Sequence, residues 1–304
     1  MHIRMVSSAL AGIILLGVTA CSTSPVAAPQ IDSVEAVSIT ADQTPTAQRV
    51  IALANGSAEI IASLGHLSIV KGRDISSTTK VLSDVEIVTS GHQVIPEKVL
   101  QLKPDLVLID DATGPASALK VLSDSGIRMV TIPQAWKTSD ISRKVMAVAQ
   151  AVGTPSDGSK LTSALLQSQK TVKKIPSQTK IVFLYLRGAN AIYLIGGAGS
   201  GADSLISAIG GVDVGAQKLQ QPFTAMSAEA IATLNPDLIL VMSKGLESVG
   251  GVEGLIALPG VAQTNAGKNK RVVAVDDSLL LSFGPRTYSL ITTLADTVNA
   301  ELSR

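Results

Sequence analysis

Two residues that can bind ferric iron, His92 and Tyr185, stand in different halves of the sequence. His92 lies in the polar stretch 90–93, and Tyr185 lies in the stretch 183–188, which begins as an apolar strand. A neutral imidazole and a phenolate are both ligands of ferric iron in proteins. Arg187 follows Tyr185 by two residues, so both side chains point to one side of a strand, and a cation beside a phenol favours the phenolate. The two positions therefore predict a site for an iron-containing ligand.

The remaining histidines and tyrosines are weaker candidates. His2 precedes the apolar leader, and His66 follows a predicted helix end. Tyr193 stands in the middle of a predicted strand and Tyr288 on the C-terminal helix, where packing in the core is the simpler interpretation. For the two candidates themselves, the alternatives are a solvated surface histidine and a core tyrosine. The choice between Tyr193 and Tyr185 stays open.

An internal repeat indicates how the chain positions these residues. The stretch 99–109 matches 231–241 at a constant offset of 132 residues, and both contain Leu-x-Pro-Asp before a continuous apolar run. Such a run is typical of a parallel strand that is buried on both faces. Further strands are predicted at 49–54, 68–71, 128–132, 180–186, 191–195 and 271–275, and helices at 57–64, 96–102, 116–125 and 202–209. The alternation predicts an α/β fold with two Rossmann-like lobes.

A helical stretch separates the two repeats. Apolar residues at helical spacing predict one helix before Gly153 and a second one that Pro176 ends. We therefore expect an N-terminal lobe over 49–154, a single long connecting helix over 155–176 and a C-terminal lobe over 177–304. Open α/β sheets bind ligands beyond the carboxyl ends of their strands, so a ligand cleft between the lobes is expected.

The N-terminus has the pattern of a bacterial lipoprotein leader. An apolar stretch over residues 9–20 ends at Cys21, the only cysteine of the sequence. We interpret residues 1–20 as a signal peptide and residues 21–48 as the lipidated cysteine and a flexible tether rich in Ser, Thr, Pro and Ala. An ordinary signal peptide with a chance cysteine is the alternative. The pattern predicts export and anchoring on the outer face of the cell membrane.

Composition and motif content exclude several classes of function. A net charge of +1 argues against a nucleic-acid binder, and a single cysteine allows neither an intrachain disulfide nor a thiolate metal cluster. Three histidines are too few for a zinc or manganese receptor. The glycine-rich stretch 196–201 lacks the Lys-Ser/Thr ending of a phosphate-binding loop, and no Gly-x-Ser-x-Gly motif is present. Neither a nucleotide cofactor nor a hydrolase activity is therefore predicted.

The sequence resembles the helical-backbone (class III) substrate-binding proteins of ABC importers. The Leu-x-Pro-Asp repeats are features of the class, and the stretches 196–203, 245–251 and 258–264 are similar to its haem-binding branch. The resemblance implies a monomeric receptor that captures haem and delivers it to a permease dimer with its ATPase. A ferric siderophore or cobalamin is the alternative ligand, against which the low aromatic content of 2% argues.

The resemblance also implies roles for individual residues of the cleft. His92 and Tyr185 become the axial ligands of the haem iron. We expect Arg187 to be a pocket residue, together with Arg73 and Arg286, which follow predicted strands in loops expected at the cleft and could each bind a propionate through two hydrogen bonds. A plain surface arginine is the alternative for the last two.

Glu97 and Glu229 form a second pair related by the 132-residue repeat. Each stands at the start of the helix before a Pro-Asp strand, where the helix dipole favours a carboxylate. In the resembling family, matching acidic residues on the two lobes dock onto arginines of the permease. Helix capping alone is the alternative.

Overall fold

Two α/β lobes make up the part of the chain that the computed structural model describes, residues 27–170 and 172–304. Strand and helix alternate in both lobes, which confirms the predicted α/β class. The strands are β1 (Gln30–Ile31), β2 (Val50–Ala52), β3 (Val70–Arg73), β4 (Glu86–Ile87), β5 (Thr89–Ser90), β6 (Gln93–Val94), β7 (Leu106–Ile109), β8 (Arg128–Thr131), β9 (Lys180–Arg187), β10 (Ile192–Gly196), β11 (Val212–Asp213), β12 (Phe223–Ala225), β13 (Leu238–Met242) and β14 (Val272–Val275). The helices are α1 (Ser57–Ser63), α2 (Pro96–Gln101), α3 (Ala116–Asp124), α4 (Ile141–Val152), α5 (Pro155–Gln169), α6 (Ala202–Ala208), α7 (Val214–Lys218), α8 (Ala228–Leu234), α9 (Ser243–Ser248), α10 (Gly251–Ala257), α11 (Asn265–Lys268), α12 (Asp277–Leu280) and α13 (Thr287–Leu302).

Each lobe is built on its own sheet. Five parallel strands in the order β4-β3-β2-β7-β8 form the N-terminal sheet, and β5 and β6 form a separate small hairpin. The C-terminal sheet has the order β1-β14-β13-β9-β10-β12, and β11 pairs with the start of β9. Its strands β1, β14, β13 and β9 are parallel, whereas β10 pairs antiparallel with both of its neighbours. The carboxyl ends of the parallel strands carry the loops that form the site described below.

The central strands are apolar throughout because side chains pack on both faces of the sheets. Every residue of β13 and β14 is buried. Along β9, Phe183 belongs to one apolar core, whereas Val182 and Leu184 belong to a second core on the opposite face. This arrangement confirms that the continuous apolar runs are strands buried on both faces.

The repeated Pro-Asp turn makes the same hydrogen bonds in both lobes. The carboxylate of Asp105 accepts a hydrogen bond of 3.1 Å from the N–H of Arg49, and that of Asp237 accepts one of 3.0 Å from the N–H of Lys180. The N–H of each aspartate in turn donates to the carbonyl of the same partner. Each turn therefore fixes the start of its strand against the start of a neighbouring strand.

Helix α5 joins the two lobes. Helix α4 ends at Val152 and is followed by Gly153, whose φ of 86° suits glycine. Helix α5 begins at Pro155 and ends at Gln169, before the predicted end at residue 176. Asp157, in the first turn of α5, is buried and lies 3.0 Å from Nε2 of His66. His66 is therefore a partner of the connecting helix.

Residues 30–48 cross from one lobe to the other along the surface of the fold. Strand β1 pairs with β14 in the C-terminal sheet, and the N–H of Val37 then donates to the carbonyl of Pro285. Further along, two backbone N–H groups at positions 42 and 43 donate to the carboxylate of Asp157. The prediction of a tether up to residue 48 is thus wrong from residue 30 onwards, because these backbone groups are bonded within the fold.

The predicted signal peptide and Cys21 lie outside the described residues. Within the two described ranges, none of the helices is long and apolar enough to cross a membrane.

Candidate functional site

A cavity of about 240 Å³ lies between the lobes, and we call it the cleft cavity. Its N-terminal wall consists of loops that follow β2, β3, β5 and β7, and its C-terminal wall is formed by residues between 277 and 282. Parallel strands end at one edge of a sheet, which is why these loops meet here. The residues that line it include Asn55, Asp74, His92, Asp110, Asp277 and Ser278.

His92 lines the cleft cavity at the tip of the small hairpin of β5 and β6. Ser90 pairs with Gln93, which leaves a two-residue turn of Gly91 and His92. Gly91 has a φ of 56°, the left-handed conformation that tight hairpin turns need and that glycine adopts at low cost. His92 is exposed. Its imidazole is therefore held on a short, defined turn and is accessible to a ligand.

Tyr185 lies near the carboxyl end of β9, at the edge of the C-terminal lobe that faces the cleft. Its ring packs edge-to-face against Phe223, with 5.8 Å between the ring centroids. The guanidinium carbon of Arg187 lies 4.5 Å from the centroid of the same ring. Both residues are half-buried and, as the alternation along the strand predicts, stand on the same side of β9. Tyr185 does not line the cleft cavity itself.

An ion pair connects the tyrosine with the cavity. Nη2 of Arg187 donates to Oδ2 of Asp277 over 3.0 Å, and Asp277 lines the cleft cavity. The other oxygen of Asp277 accepts the N–H of Lys244 over 3.1 Å. The side chains of Tyr185, Arg187 and Asp277 thus form a continuous path from β9 to the space that His92 lines from the other lobe.

The other two tyrosines are packed in the fold. Tyr193 pairs with Leu186 across β10 and β9 and packs against the apolar core on the face opposite Tyr185. Tyr288 is buried in the other core, its hydroxyl donates to the carbonyl of Thr138, and burial raises its pKa. Neither residue lines the cleft cavity. Tyr185 does not line the cavity either, but among the three tyrosines it is the one linked to a cavity-lining residue, through Arg187 and Asp277.

Two of the predicted propionate partners are engaged elsewhere, and neither lines the cleft cavity. Arg73 is buried, and its guanidinium donates to the carbonyl of Leu82 over 3.0 Å. Arg286 is also buried, and two of its nitrogens lie 2.9 and 3.0 Å from Oε2 of Glu59 in the N-terminal lobe. The structure therefore does not bring these two arginines to the cleft cavity, because each buried guanidinium is held by acceptors of the protein.

Glu97 and Glu229 are both exposed, in the first turns of α2 and α8. Neither carboxylate has a hydrogen-bond or ion-pair partner among the described residues. The N-terminus of α8 is instead capped by Ser227, whose hydroxyl accepts the N–H of Ala230. Both carboxylates are thus available to a partner.

A buried lysine near the cleft was not predicted from the sequence. Lys144 is 2% exposed, and its Nζ donates to the carbonyl of Ser282 over 2.7 Å. Burial lowers its pKa to about 8, opposed by the charges of Asp110 and Glu59. It lines a smaller cavity of about 100 Å³, together with Trp136, beside the cleft cavity. Residue spacing in the sequence does not predict this contact of Lys144, because its partner lies 138 positions away.

Comparison with known proteins identifies the family. The periplasmic binding protein family model matches residues 50–279. The chain belongs to this family. The relatives of this periplasmic binding protein include an uncharacterized ABC transporter substrate-binding lipoprotein, YvrC of Bacillus subtilis (strain 168), 28% identical over 88% of this chain and 84% of the relative. A vitamin B12-binding protein of Vibrio campbellii is 23% identical over 67% of this chain and 74% of the relative.

Solved structures of haem receptors share the fold of this periplasmic binding protein. The haem-binding protein HmuT is 31% identical, with a TM-score of 0.77 over 90% of this chain and 97% of the other. The haem-binding protein RhuT of Roseiflexus sp. RS-1, solved in its apo form, is 31% identical, with a TM-score of 0.76 over 84% and 99% of the chains. Variants of HmuT have also been solved in which a histidine, a tyrosine and an arginine two positions after that tyrosine are each replaced by alanine.

These matches confirm the predicted class, a two-lobed substrate-binding protein of an ABC importer. Its family and solved neighbours are transport proteins, which agrees with the prediction that the chain is not an enzyme.

Proposed function

We propose that this protein captures haem between its lobes and delivers it to an ABC permease for uptake. One observation carries the proposal: His92 lines the cleft cavity from the N-terminal lobe, and the path Tyr185–Arg187–Asp277 reaches the same cavity from the C-terminal lobe. The substituted residues of the haem-binding protein HmuT support it, since Tyr185 and Arg187 have the types and spacing of its tyrosine and arginine. The third residue substituted in HmuT is a histidine, as His92 is.

The two candidate ligands suit the two faces of a ferric haem. A neutral imidazole nitrogen of His92 binds the iron from one side, and the oxygen of Tyr185 binds it from the other as phenolate. Arg187 offsets the negative charge of this phenolate from its place over the ring. Asp277 holds the guanidinium in that position. The haem thereby joins the lobes through its iron.

The anionic groups of haem need a cation other than the buried arginines. Lys244 is exposed and is the second residue of α9, the helix that directly follows β13. Val241 of β13 pairs with Leu184, next to Tyr185. Its side chain has no hydrogen-bond or ion-pair partner among the described residues. We assign Lys244 as the partner of a propionate at the rim of the cleft.

Delivery requires the remaining predicted residues. Lipidation of Cys21 anchors the exported receptor on the outer face of the cell membrane, which the lipoprotein relative YvrC supports. The exposed carboxylates Glu97 and Glu229, one on each lobe, dock onto basic pockets of the permease dimer, and ATP hydrolysis by its ATPase drives import. The receptor acts as a monomer, and each lobe meets one subunit of the permease.

A titration of the purified protein with hemin tests the proposal. We expect saturable binding with a Soret band distinct from that of free hemin. His92→Ala and Tyr185→Ala should each weaken the binding and shift the band, because each removes one iron ligand. Tyr193→Phe is the matched control, since this tyrosine packs on the opposite face of the sheet. Unaltered binding in both ligand variants would contradict the assignment.

A corrinoid is the second candidate ligand, because a vitamin B12-binding protein is among the relatives. Calorimetric titrations with cyanocobalamin and with a ferric siderophore distinguish the candidates. The haem proposal fails if either compound binds more tightly than hemin.

A further inference from the structure

The C-terminal wall of the cleft is bonded to the N-terminal lobe at two carbonyl groups. Nζ of Lys144, on α4, donates to the carbonyl of Ser282 over 2.7 Å. Nδ2 of Asn55, which follows β2, lies 3.4 Å from the carbonyl of Leu281. Both Leu281 and Ser282 line the cleft cavity. Two donors of the N-terminal lobe thus hold the opposite wall of the cavity in place.

The stronger of these two bonds is buried and surrounded by charges. Asp110, at the end of β7, and Glu59, on α1, both favour the ammonium of Lys144. Glu59 is itself paired with Arg286 from the C-terminal lobe. A hydrogen bond from an ammonium group inside the protein is stronger than one between neutral groups. The bond therefore fixes the distance between the lobes more firmly than an exposed contact would.

We propose that Lys144 is a positioning residue of the ligand site, which sets the width of the cleft by holding the carbonyl of Ser282. The proposal rests on the proposed function, since it assumes that the ligand lies against this wall. Loss of the bond lets the wall of residues 277–282 move away from the N-terminal loops. A haem held between the lobes then loses contacts and leaves faster.

The bond also makes retention of the ligand depend on pH. Burial lowers the pKa of Lys144 from 10.5 to about 8, so the ammonium is present below pH 8 and is lost as the pH rises through that value. A neutral amine donates a weaker hydrogen bond. Loss of the proton also removes the positive charge that offsets the carboxylates of Asp110 and of Glu59, the partner of Arg286. Haem release should therefore accelerate between pH 7 and 9.

The first experiment measures the rate of haem transfer to excess apomyoglobin over this pH range. In Lys144→Met we expect release roughly ten-fold faster at pH 7, the effect of losing one charged hydrogen bond. The acceleration near pH 8 should be present in the wild type and missing in the variant. Thr264→Val is the control, because it removes buried hydrogen bonds within the C-terminal lobe alone. Asn55→Ala, at an exposed residue that bonds the same wall, should accelerate release in the same direction. If Lys144→Met does not fold, the response of the wild-type lobe distance to pH, measured below, decides the question.

The second experiment needs no ligand. Spin labels at Ser123→Cys and Gln263→Cys, one on each lobe, report the distance between the lobes in a chain that also carries Cys21→Ser. We expect a longer or broader distribution of distances in the labelled Lys144→Met chain than in the labelled chain that keeps Lys144. When the pH rises from 7 to 9, the distribution of the chain that keeps Lys144 should shift towards that of Lys144→Met.

The two experiments separate the two proposals. If the wild type binds no haem, the proposed function fails, and the spin-label distances still test the role of Lys144. If haem binds but Lys144→Met and Asn55→Ala both leave the release rate unchanged, the positioning role is overturned. It is equally overturned if the distance distribution does not respond to Lys144→Met.

Discussion

The guanidinium of Arg187 covers the ring of Tyr185, at 4.5 Å from its centroid, and is held there by Asp277. The arrangement joins three side chains from the ends of two elements, β9 and α12. A guanidinium in this position is attracted to the electron-rich face of the ring, so the two side chains pack against each other.

The first prediction concerns this pair. Arg187→Met keeps the length of the side chain and removes the charge, so it should weaken hemin binding about ten-fold and shift the Soret band towards that of Tyr185→Phe. Arg187→Lys should be intermediate, because a lysine keeps the charge but not the planar contact with the ring. Hemin titrations followed by absorbance give both quantities. Binding of Arg187→Met with wild-type affinity and spectrum would show that the arginine only packs against the ring.

The second prediction concerns the histidine away from the cleft. His66→Ala removes the side-chain partner of the buried Asp157 and should lower the free energy of unfolding by about 1–3 kcal/mol. It should leave the affinity for hemin and the Soret band unchanged, because His66 does not line the cleft cavity. Urea unfolding and a hemin titration of the same sample measure the two effects. A change of the Soret band in this variant would mean that His66, not His92, is an iron ligand.

The third prediction concerns the rim of the cleft. Lys244→Gln should weaken hemin binding about two- to five-fold, since a partly exposed ion pair contributes little. The same substitution should not affect the binding of hemin dimethyl ester, in which the propionates carry no charge. Lys218→Gln, at an exposed lysine at the end of α7, is the control. An equal loss of affinity for hemin and for its dimethyl ester would show that Lys244 does not bind a propionate.

Strands and candidate site residues could be predicted where the sequence pattern that indicates them lies in neighbouring residues. The repeat around Asp105 and Asp237 predicts the two strands β7 and β13. Each Pro-Asp turn binds a residue at the start of a neighbouring strand, Arg49 just before β2 and Lys180 at the start of β9. His92 stands out because it follows a glycine in a polar stretch just before a predicted helix. Tyr185 and Arg187 stand out because they are polar residues at the end of an apolar strand. In all these cases neighbouring positions carry the information.

The missed features depend on contacts between distant positions. Arg286 pairs with a glutamate 227 positions away, and Lys144 bonds to a carbonyl 138 positions away. Residues 30–48 have the composition of a linker, yet they are fixed by a two-residue strand, by backbone hydrogen bonds and by the carboxylate of Asp157, more than 100 positions away. Neither composition nor periodicity reports such contacts.

The last prediction concerns delivery to the permease. Glu97 and Glu229 are related by the internal repeat, are both exposed and lie in the first turns of equivalent helices. A permease dimer presents two equivalent surfaces, so one carboxylate on each lobe matches its symmetry. The double variant Glu97→Ala/Glu229→Ala should bind hemin normally and fail to stimulate the ATPase of the reconstituted importer. Lysine at both positions should be worse, because it places like charges against basic pockets.

A matched control keeps the result specific. Asp124→Ala/Glu253→Ala also removes one exposed carboxylate from each lobe, but from ion pairs on α3 and α10. It should leave both hemin binding and ATPase stimulation intact. Stimulation at the wild-type level by the Glu97→Ala/Glu229→Ala protein would mean that the two glutamates only favour their helix N-termini, whose positive dipole ends stabilise carboxylates in any case. A loss of stimulation together with a loss of hemin binding would instead point to misfolding, which the hemin titration of each variant detects before the transport assay.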